Sequence, residues 1–329
     1  MNIYDIAREA GVSISTVSRV INNKTNVTPA TRAKIQAVLD KHQYAPSAIA
    51  RGLVAHSMKT VAIMAVDLRV PHYAYTTYVI EQEFTKRNYN VMVCNTGGTL
   101  EETRRYAAEL AQRQIDGVVL VGSVFNTLGQ DPEVARALQG MPVVLANGTL
   151  PWPQAYSVPV DDSLGVQLAV RHLAQKGHQH IVYVKDRDTA AAQHKQNGFV
   201  AEMQAHGLAC GEDVIFATPY GLDGGKHAAA QILAQKKRPT AVVCAEDLTA
   251  VGVLKALTKA GINVPGDIAV TGYNNSEYSE ICTPELTSVN NKGEEAAVVC
   301  AQLLEARIEG KEFTPPQTIL PELVVRESS

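Results

Sequence analysis

Cysteine is scarce in this chain of 329 residues, and the five thiols, Cys94, Cys210, Cys244, Cys282 and Cys300, show no CxxC or other metal-ligand spacing. An odd, unpatterned set argues against a disulfide-stapled domain, and Cys94 and Cys244 sit inside apolar, strand-like runs as reduced thiols would. His178 and His180 would share a strand face, yet no third ligand is visible nearby, so no metal site is expected. Apolar runs of 18 residues are also missing, so no membrane span is expected. The chain opens directly on an amphipathic helical pattern rather than a leader, and the expectation is a cytoplasmic protein with no membrane partner. Neither GxGxxG, nor a P-loop, nor a nucleophile elbow occurs, and the pairs Gly97-Gly98 and Gly224-Gly225 are too weak to stand in for one. No nucleotide cofactor and no enzymatic activity are therefore expected.

What is present begins with charge. The formal net charge is only -3, but residues 1 to 60 hold 8 Lys/Arg against 3 Asp/Glu while the remainder holds 22 against 30. A basic head suits contact with a polyanion, and an acidic body discourages the rest of the surface from sticking to it. The length implies two or three domains, for which an apolar content of 46% is ample.

Ile3, Ile6, Ala7 and Ala10 recur on one face of a helix, and Gly11 stops it. Ser13 is placed to cap a second helix in which Val17, Val20 and Ile21 face inward while Ser15, Arg19 and Asn22 fall on the opposite side. A tight glycine turn between two helices, the second displaying hydroxyl, guanidinium and amide groups, suits a helix-turn-helix, in which Arg pairs with guanine and Asn or Ser with base edges or phosphates. The same pattern also suits a helical hairpin with a solvated polar face. Thr28-Pro29 opens a third helix, with Ile35, Val38 and Leu39 completing a three-helix head.

The run Ile3-Tyr4-Asp5-Ile6-Ala7, then Ala10-Gly11-Val12-Ser13, then Thr16-Val17-Ser18-Arg19-Val20 resembles the opening signature of the lactose/galactose repressor family of bacterial transcription regulators. The resemblance implies a DNA-facing set of Tyr4, Ser13, Ile14, Ser15, Thr16, Ser18, Arg19 and Asn22. Ile14 is apolar, and either meets a thymine methyl or joins the core. Residues 47 to 54 form a short segment with Ala48, Ile49, Leu53 and Val54 apolar and Gly52 within it, too short to be a stable isolated helix. It resembles the family's hinge helix, which implies that Ala50 and Leu53 contact the minor groove, Leu53 as a wedge between base steps; a flexible linker with a few apolar residues is the plainer alternative.

From Thr60 the period changes. The apolar runs Val61 to Val66, Val91 to Cys94, Val118 to Val121 and Val143 to Ala146 alternate with helical patterns such as Tyr78 to Arg87 and Glu101 to Arg113. A second series follows, with strands over Ile181 to Val184, Ala241 to Cys244 and Ile268 to Thr271. Repeated βαβ units of this kind imply two doubly wound parallel sheets, each covered on both faces. Gly177-His178-Gln179-His180-Ile181, Val264-Pro265-Gly266-Asp267-Ile268-Ala269-Val270 and Gly272-Tyr273-Asn274-Asn275 extend the family resemblance. It implies a bilobal, periplasmic-binding-protein-like α/β body behind the all-α head, with crossings between lobes near residues 159, 289 and 320. The organisation expected is a helix-turn-helix domain over 1–46, a hinge helix and linker over 47–59, and an effector-binding and dimerisation body over 60–329. The first lobe of that body takes about 60–158 and 290–319, and the second about 159–289 and 320–329.

Ligands of open α/β sheets bind outside the carboxyl ends of the strands, so the loops at 68–74, 95–99, 122–127, 147–149, 186–189, 246–247 and 273–276 should meet in a cleft. Carried over by position, the resemblance implies that His72, Tyr73, Asn147, Lys195, Tyr220, Glu246, Asn274 and Asn291 face a small effector. Relatives that bind neutral sugars usually carry arginine, asparagine and aspartate where Lys195, Glu246 and Asn274 stand. Lysine lacks arginine's planar fork, and asparagine both donates and accepts. Glu246 favours a donor-rich or cationic ligand, or else pairs with Lys195. Trp152 borders the cleft or packs between lobes.

The expected function is a sequence-specific DNA-binding repressor controlled by a small-molecule effector. By resemblance the effector is a carbohydrate, with a sugar derivative, nucleoside or amine as alternatives. Its DNA partner is a pseudo-palindromic double-stranded operator. No heptad pattern follows Leu323-Val324-Val325, so a homodimer through the lobes is expected. A solute-binding protein without a DNA role is the competing class, and the head argues against it.

Overall fold

The computed structural model describes residues 2–21, 24–44 and 57–329. The chain divides into two compact units, Met1–Lys59 and Thr60–Ser329.

The first unit contains α1 (Ile3–Ala10), α2 (Ile14–Ile21) and α3 (Pro29–Lys41). α1 starts at a reciprocal cap: the Asn2 side chain accepts from the Tyr4 and Asp5 amides at 3.0 and 3.1 Å, and Asp5 accepts from the Asn2 amide at 3.1 Å. It ends at Gly11, whose φ of 61° is left-handed and suits glycine. The Ser13 hydroxyl accepts from the Thr16 amide at 3.2 Å and so opens α2. Thr28 caps α3, with Pro29 preset for its first turn. Ile6, Ala7, Ala10, Val17, Val20, Ile35 and Leu39 form one buried cluster. The expected hinge segment at 47–54, with Ala50 and Leu53, lies outside the described residues, as does Asn22.

The second unit holds two sheets. The first is wholly parallel, in the order β2 (Asn90–Asn95), β1 (Thr60–Ala65), β3 (Gly117–Val121), β4 (Val143–Ala146), β5 (Ala155–Val158). β1, β3 and β4 are near-continuous apolar runs because helices cover both faces. One of these helices, α4 (Pro71–Lys86), begins earlier than the Tyr78 start read from sequence. Pro71 presets its first turn, and Tyr73, Thr77, Ile80 and Phe84 carry the buried stripe back to it. α5 (Leu100–Gln112) is capped by Thr99; α6 (Pro132–Ala137) and a 3-10 turn over Ser123–Gln130 complete this part.

α7 (Asp162–Gln175) leads into the second sheet, ordered β11 (Glu322–Val324), β10 (Thr287–Asn290), β9 (Ala269–Tyr273), β8 (Ala241–Cys244), β6 (Ile181–Lys185), β7 (Ile215–Ala217), with only β11 antiparallel. Its helices are α8 (Ala190–Ala205), α9 (Leu222–Leu233), α10 (Asp247–Lys259) and the short α11 (Tyr278–Ile281). β5, β7, β10 and β11 have no counterpart in the sequence reading: each is three or four residues long, too short to show a period. His178 and His180 precede β6 in a loop instead of sharing a strand face. No group of metal-ligating side chains is found among the described residues.

After β10 the chain returns to the first sheet. α12 (Gly293–Ile308) buries Ala297, Cys300, Ala301 and Leu304 in the first core cluster. An isolated parallel bridge between Val160 and Ile319 ties two crossing segments together, and β11 then rejoins the second sheet. Trp152 belongs to the first lobe's core, not to the cleft. Among the described residues no helix is long and apolar enough to cross a membrane.

Candidate functional site

Two surfaces carry polar groups that folding does not use up. On α2, burial of Val17 and Val20 turns the other face outward. Ser13, Ile14, Ser15 and Arg19 are exposed there, and Thr16 and Ser18 half-buried. Ile14 is 40% exposed, so of its two sequence readings the core one is set aside. Tyr4, on α1, is 62% exposed. The Ser13 hydroxyl sits 2.8 Å from the hydroxyls of both Ser15 and Thr16, a local chain that fixes the first turn. Arg19 makes no ion pair among the described residues, which leaves a full guanidinium fork at the surface.

The second surface is the cleft between the lobes of the larger unit. Strand ends from both sheets deliver their loops to one cavity with an envelope of about 730 Å³, its open mouth included, within the range of small-molecule sites. Seven of the eight expected effector residues line it: His72, Tyr73, Asn147, Lys195, Glu246, Asn274 and Asn291. Tyr220 does not; it packs partly buried against the first lobe's core, with the Arg187 guanidinium 4.0 Å over its ring.

The polar groups of the cleft form a chain. Lys195 Nζ, 6% exposed, donates to the Ala245 carbonyl at 2.9 Å and to Glu246 Oε1 at 3.4 Å, and lies 3.6 Å over the Tyr273 ring. Glu246 thus pairs with Lys195, one of the two outcomes left open by sequence. Its other oxygen accepts from Asn274 Nδ2 and faces His72 Nδ1 at 3.5 Å. Asn274 Oδ1 accepts from Asn291 Nδ2 at 2.8 Å, while Asn291 Oδ1 caps the Gly293 amide at 3.1 Å. Burial alone would raise the Glu246 carboxyl, but the positive charge of Lys195, with His72 and Arg187, outweighs it and holds the group ionised, well below the usual carboxylate range.

Three charged residues absent from the expected set also line the cavity: Asp162, Asp186 and Arg187. Asp162 accepts from Asn147 Nδ2 at 2.9 Å and from the Tyr273 hydroxyl at 2.7 Å, joining the two sides. Asp186, 6% exposed, accepts from the Thr249 hydroxyl at 2.5 Å through one oxygen, while the other has no hydrogen-bond partner among the described residues. Burial and the neighbouring Glu246 charge push its pKa up to about 7. Tyr73 is pushed up to about 12 by burial. The rule that ligands sit beyond strand ends pointed to the loop at 186–189 without singling out a residue in it; Asp161-Asp162, at the start of a crossing helix, gave no signal.

The chain is similar to known proteins over nearly its whole length. The model of bacterial regulatory proteins of the lacI family matches residues 2–47, and that of a periplasmic binding protein-like domain matches residues 170–329. An HTH-type transcriptional regulator of Lachnoclostridium phytofermentans is 34% identical over 331 residues, 100% of this chain and 99% of that protein. The HTH-type transcriptional repressor PurR of Vibrio campbellii is 31% identical over 99% of this chain and 98% of its own. Among solved structures, the complex of the transcriptional regulator CelR with cellobiose superposes with a TM-score of 0.74 at 28% identity over 100% of both chains. The lac repressor dimer bound to operator and the anti-inducer ONPF superposes with a TM-score of 0.89 at 23% identity, over 100% of this chain and 98% of that one, a likeness of fold.

Proposed function

The chain belongs to the lacI family of bacterial regulatory proteins, non-enzymatic DNA-binding regulators with an effector-binding domain, and from that we propose that it is a cytoplasmic homodimeric repressor whose operator grip is set by a carbohydrate in the cleft. The observation that carries the DNA half is α2: Val17 and Val20 are spent on the core, and Ile14, Ser15 and Arg19 remain outward. An exposed Arg fork suits the acceptor pair of guanine, and Ile14 suits a thymine methyl. Tyr4, Ser13, Thr16 and Ser18 surround this face and suit phosphate and base-edge contacts, which set position as well as sequence. Asn22, Ala50 and Leu53 join the set by family resemblance. A twofold dimer reads a pseudo-palindrome, and two copies of Leu53 opening a flexible central step, CG by that resemblance, kink it.

The effector half rests on the cavity, where the side-chain amides of Asn147, Asn274 and Asn291 and the charged groups of Asp186 and Arg187 supply donors and acceptors of the kind that hydroxyl-rich ligands use. Effector binding favours one arrangement of the lobes, and only differential affinity for the two arrangements transmits it to DNA. Fluorescence anisotropy on labelled inverted-repeat duplexes tests the reading. Arg19→Ala should cost about 1–3 kcal/mol on the preferred duplex and flatten base preference at one position. Leu53→Ala should weaken operator binding while leaving thermal unfolding of the body unchanged. Equal losses on all sequences for the first, or no loss for the second, would refute the assigned roles.

A further inference from the structure

The effector cleft contains one cation whose hydrogen bonding is left incomplete. Arg187 Nε and Nη2, the two N–H groups on one edge of the guanidinium, are buried and have no partner among the described residues. The plane is held over the Tyr220 ring at 4.0 Å, with the Tyr73 ring at 5.9 Å, so the fork is fixed before any ligand arrives. Other charges lining the same cavity are already engaged: Lys195 with Glu246 and Ala245, Glu246 with Asn274, Asp162 with Asn147 and Tyr273. Beside Arg187, Asp186 keeps one buried oxygen without a hydrogen-bond partner among the described residues. A fork of two parallel donors matches two oxygens on one carbon, the geometry of a carboxylate. An unpartnered carboxyl oxygen next to it matches a hydroxyl on the adjoining carbon.

We propose that the effector is a hydroxy acid of the aldonic or uronic type, its carboxylate held by the Nε/Nη2 edge of Arg187 and a neighbouring hydroxyl by Asp186. This rests on the carbohydrate-effector reading and narrows it. The protonated form that Asp186 adopts up to about pH 7 relieves repulsion between the two carboxyl groups and adds a donor to the carboxylate.

Calorimetric titration and thermal shift of the full chain against gluconate, galactonate, glucuronate and galacturonate, each beside its neutral aldose, with hypoxanthine and cytidine as a third arm, decide the matter. At least one acid should bind roughly 10- to 100-fold more tightly than its aldose, the range expected for a charge-assisted pair of hydrogen bonds. Arg187→Lys, which keeps the charge and loses the fork, should erase most of that ratio, and Arg187→Gln should erase all of it. Equal binding of acid and aldose, binding of the nucleobase arm alone, or binding by no acid overturns the assignment; the wild-type comparison stands even if the variants fold poorly. Operator anisotropy in the same titrations separates the two levels. An acid that binds through Arg187 yet leaves the operator complex unchanged upholds the carboxylate assignment and defeats the effector reading.

Discussion

At the scale of the residue, the cleft stores protonation energy in a form that can be titrated. Asp186 has an ordinary value of 3.8 and a folded value of about 7, because burial and Glu246 both disfavour its anion. Between these values the folded chain keeps a proton that the unfolded chain has released, so stability falls as pH rises and levels off above about 7. Asp247, buried and pushed up to about 6, adds the same sign at lower pH. Glu246 works the other way: its folded value is depressed, so its contribution is lost only as pH falls below 4.5. From pH 6 to 7 the half-buried His172 and His178, held below the usual histidine value by burial, contribute a slope of the opposite sign, so Asp186 is read as the difference between wild type and Asp186→Asn. In urea unfolding the wild type should lose on the order of 1 kcal/mol across that unit relative to Asp186→Asn, which still accepts from Thr249. Parallel pH profiles for the two would mean that water or a rearranged Arg187 already satisfies the carboxylate. Neither partner was legible beforehand. Seven cleft residues followed from positions in a family pattern, but which atoms remain unpaired depends on which neighbours the second lobe brings, and spacing does not contain that.

At the scale of the element, the strongest packing constraint is carried by glycines that look like a weak phosphate motif in the sequence. At Gly224-Gly225 the helices α9 and α10 cross at backbone distance. A Cβ on Gly225 would stand 2.1 Å from the Thr249 carbonyl oxygen and 2.8 Å from the Gly252 Cα, and one on Gly252 would stand 2.3 Å from the Leu222 carbonyl oxygen. All three obstacles are backbone, which cannot swing aside. Gly252→Ala should destabilise the body by about 1–3 kcal/mol through overpacking, read as a lower urea midpoint at unchanged slope. Because Thr249 on the same turn holds Asp186, effector affinity should fall with it. A variant as stable as the wild type would show that the two helices separate freely. Elements with long periodic or continuous apolar runs, such as β1, β3, β4 and α5, were readable. The short edge strands β7 and β11 were not, since pairing with a neighbour, rather than their own composition, makes them strands.

At the scale of the whole larger unit, the lobes are joined by a small number of polar contacts that any rearrangement must break or keep. Helical periodicity says that α12 is buried but not against which sheet, so the order in which the chain visits the lobes came from resemblance and not from spacing. Across the cleft, the Ser123 hydroxyl on the first lobe accepts from the Ala191 amide at the start of α8 at 3.2 Å. Asn147 meets Asp162, and His72 meets Asn274. Ser123→Ala removes one such bridge and leaves an amide without its acceptor, a loss of about 1 kcal/mol in the joined arrangement. If lobe arrangement controls the head, that energy enters the equilibrium between arrangements and shifts it roughly fivefold. Operator affinity measured without effector and at saturating effector should then change by different factors, and the effector's own affinity should change by the same ratio when measured with operator bound, since linkage is reciprocal. Equal factors in both states would mean that Ser123 stabilises the fold alone, and that the contacts across the cleft do not report to DNA.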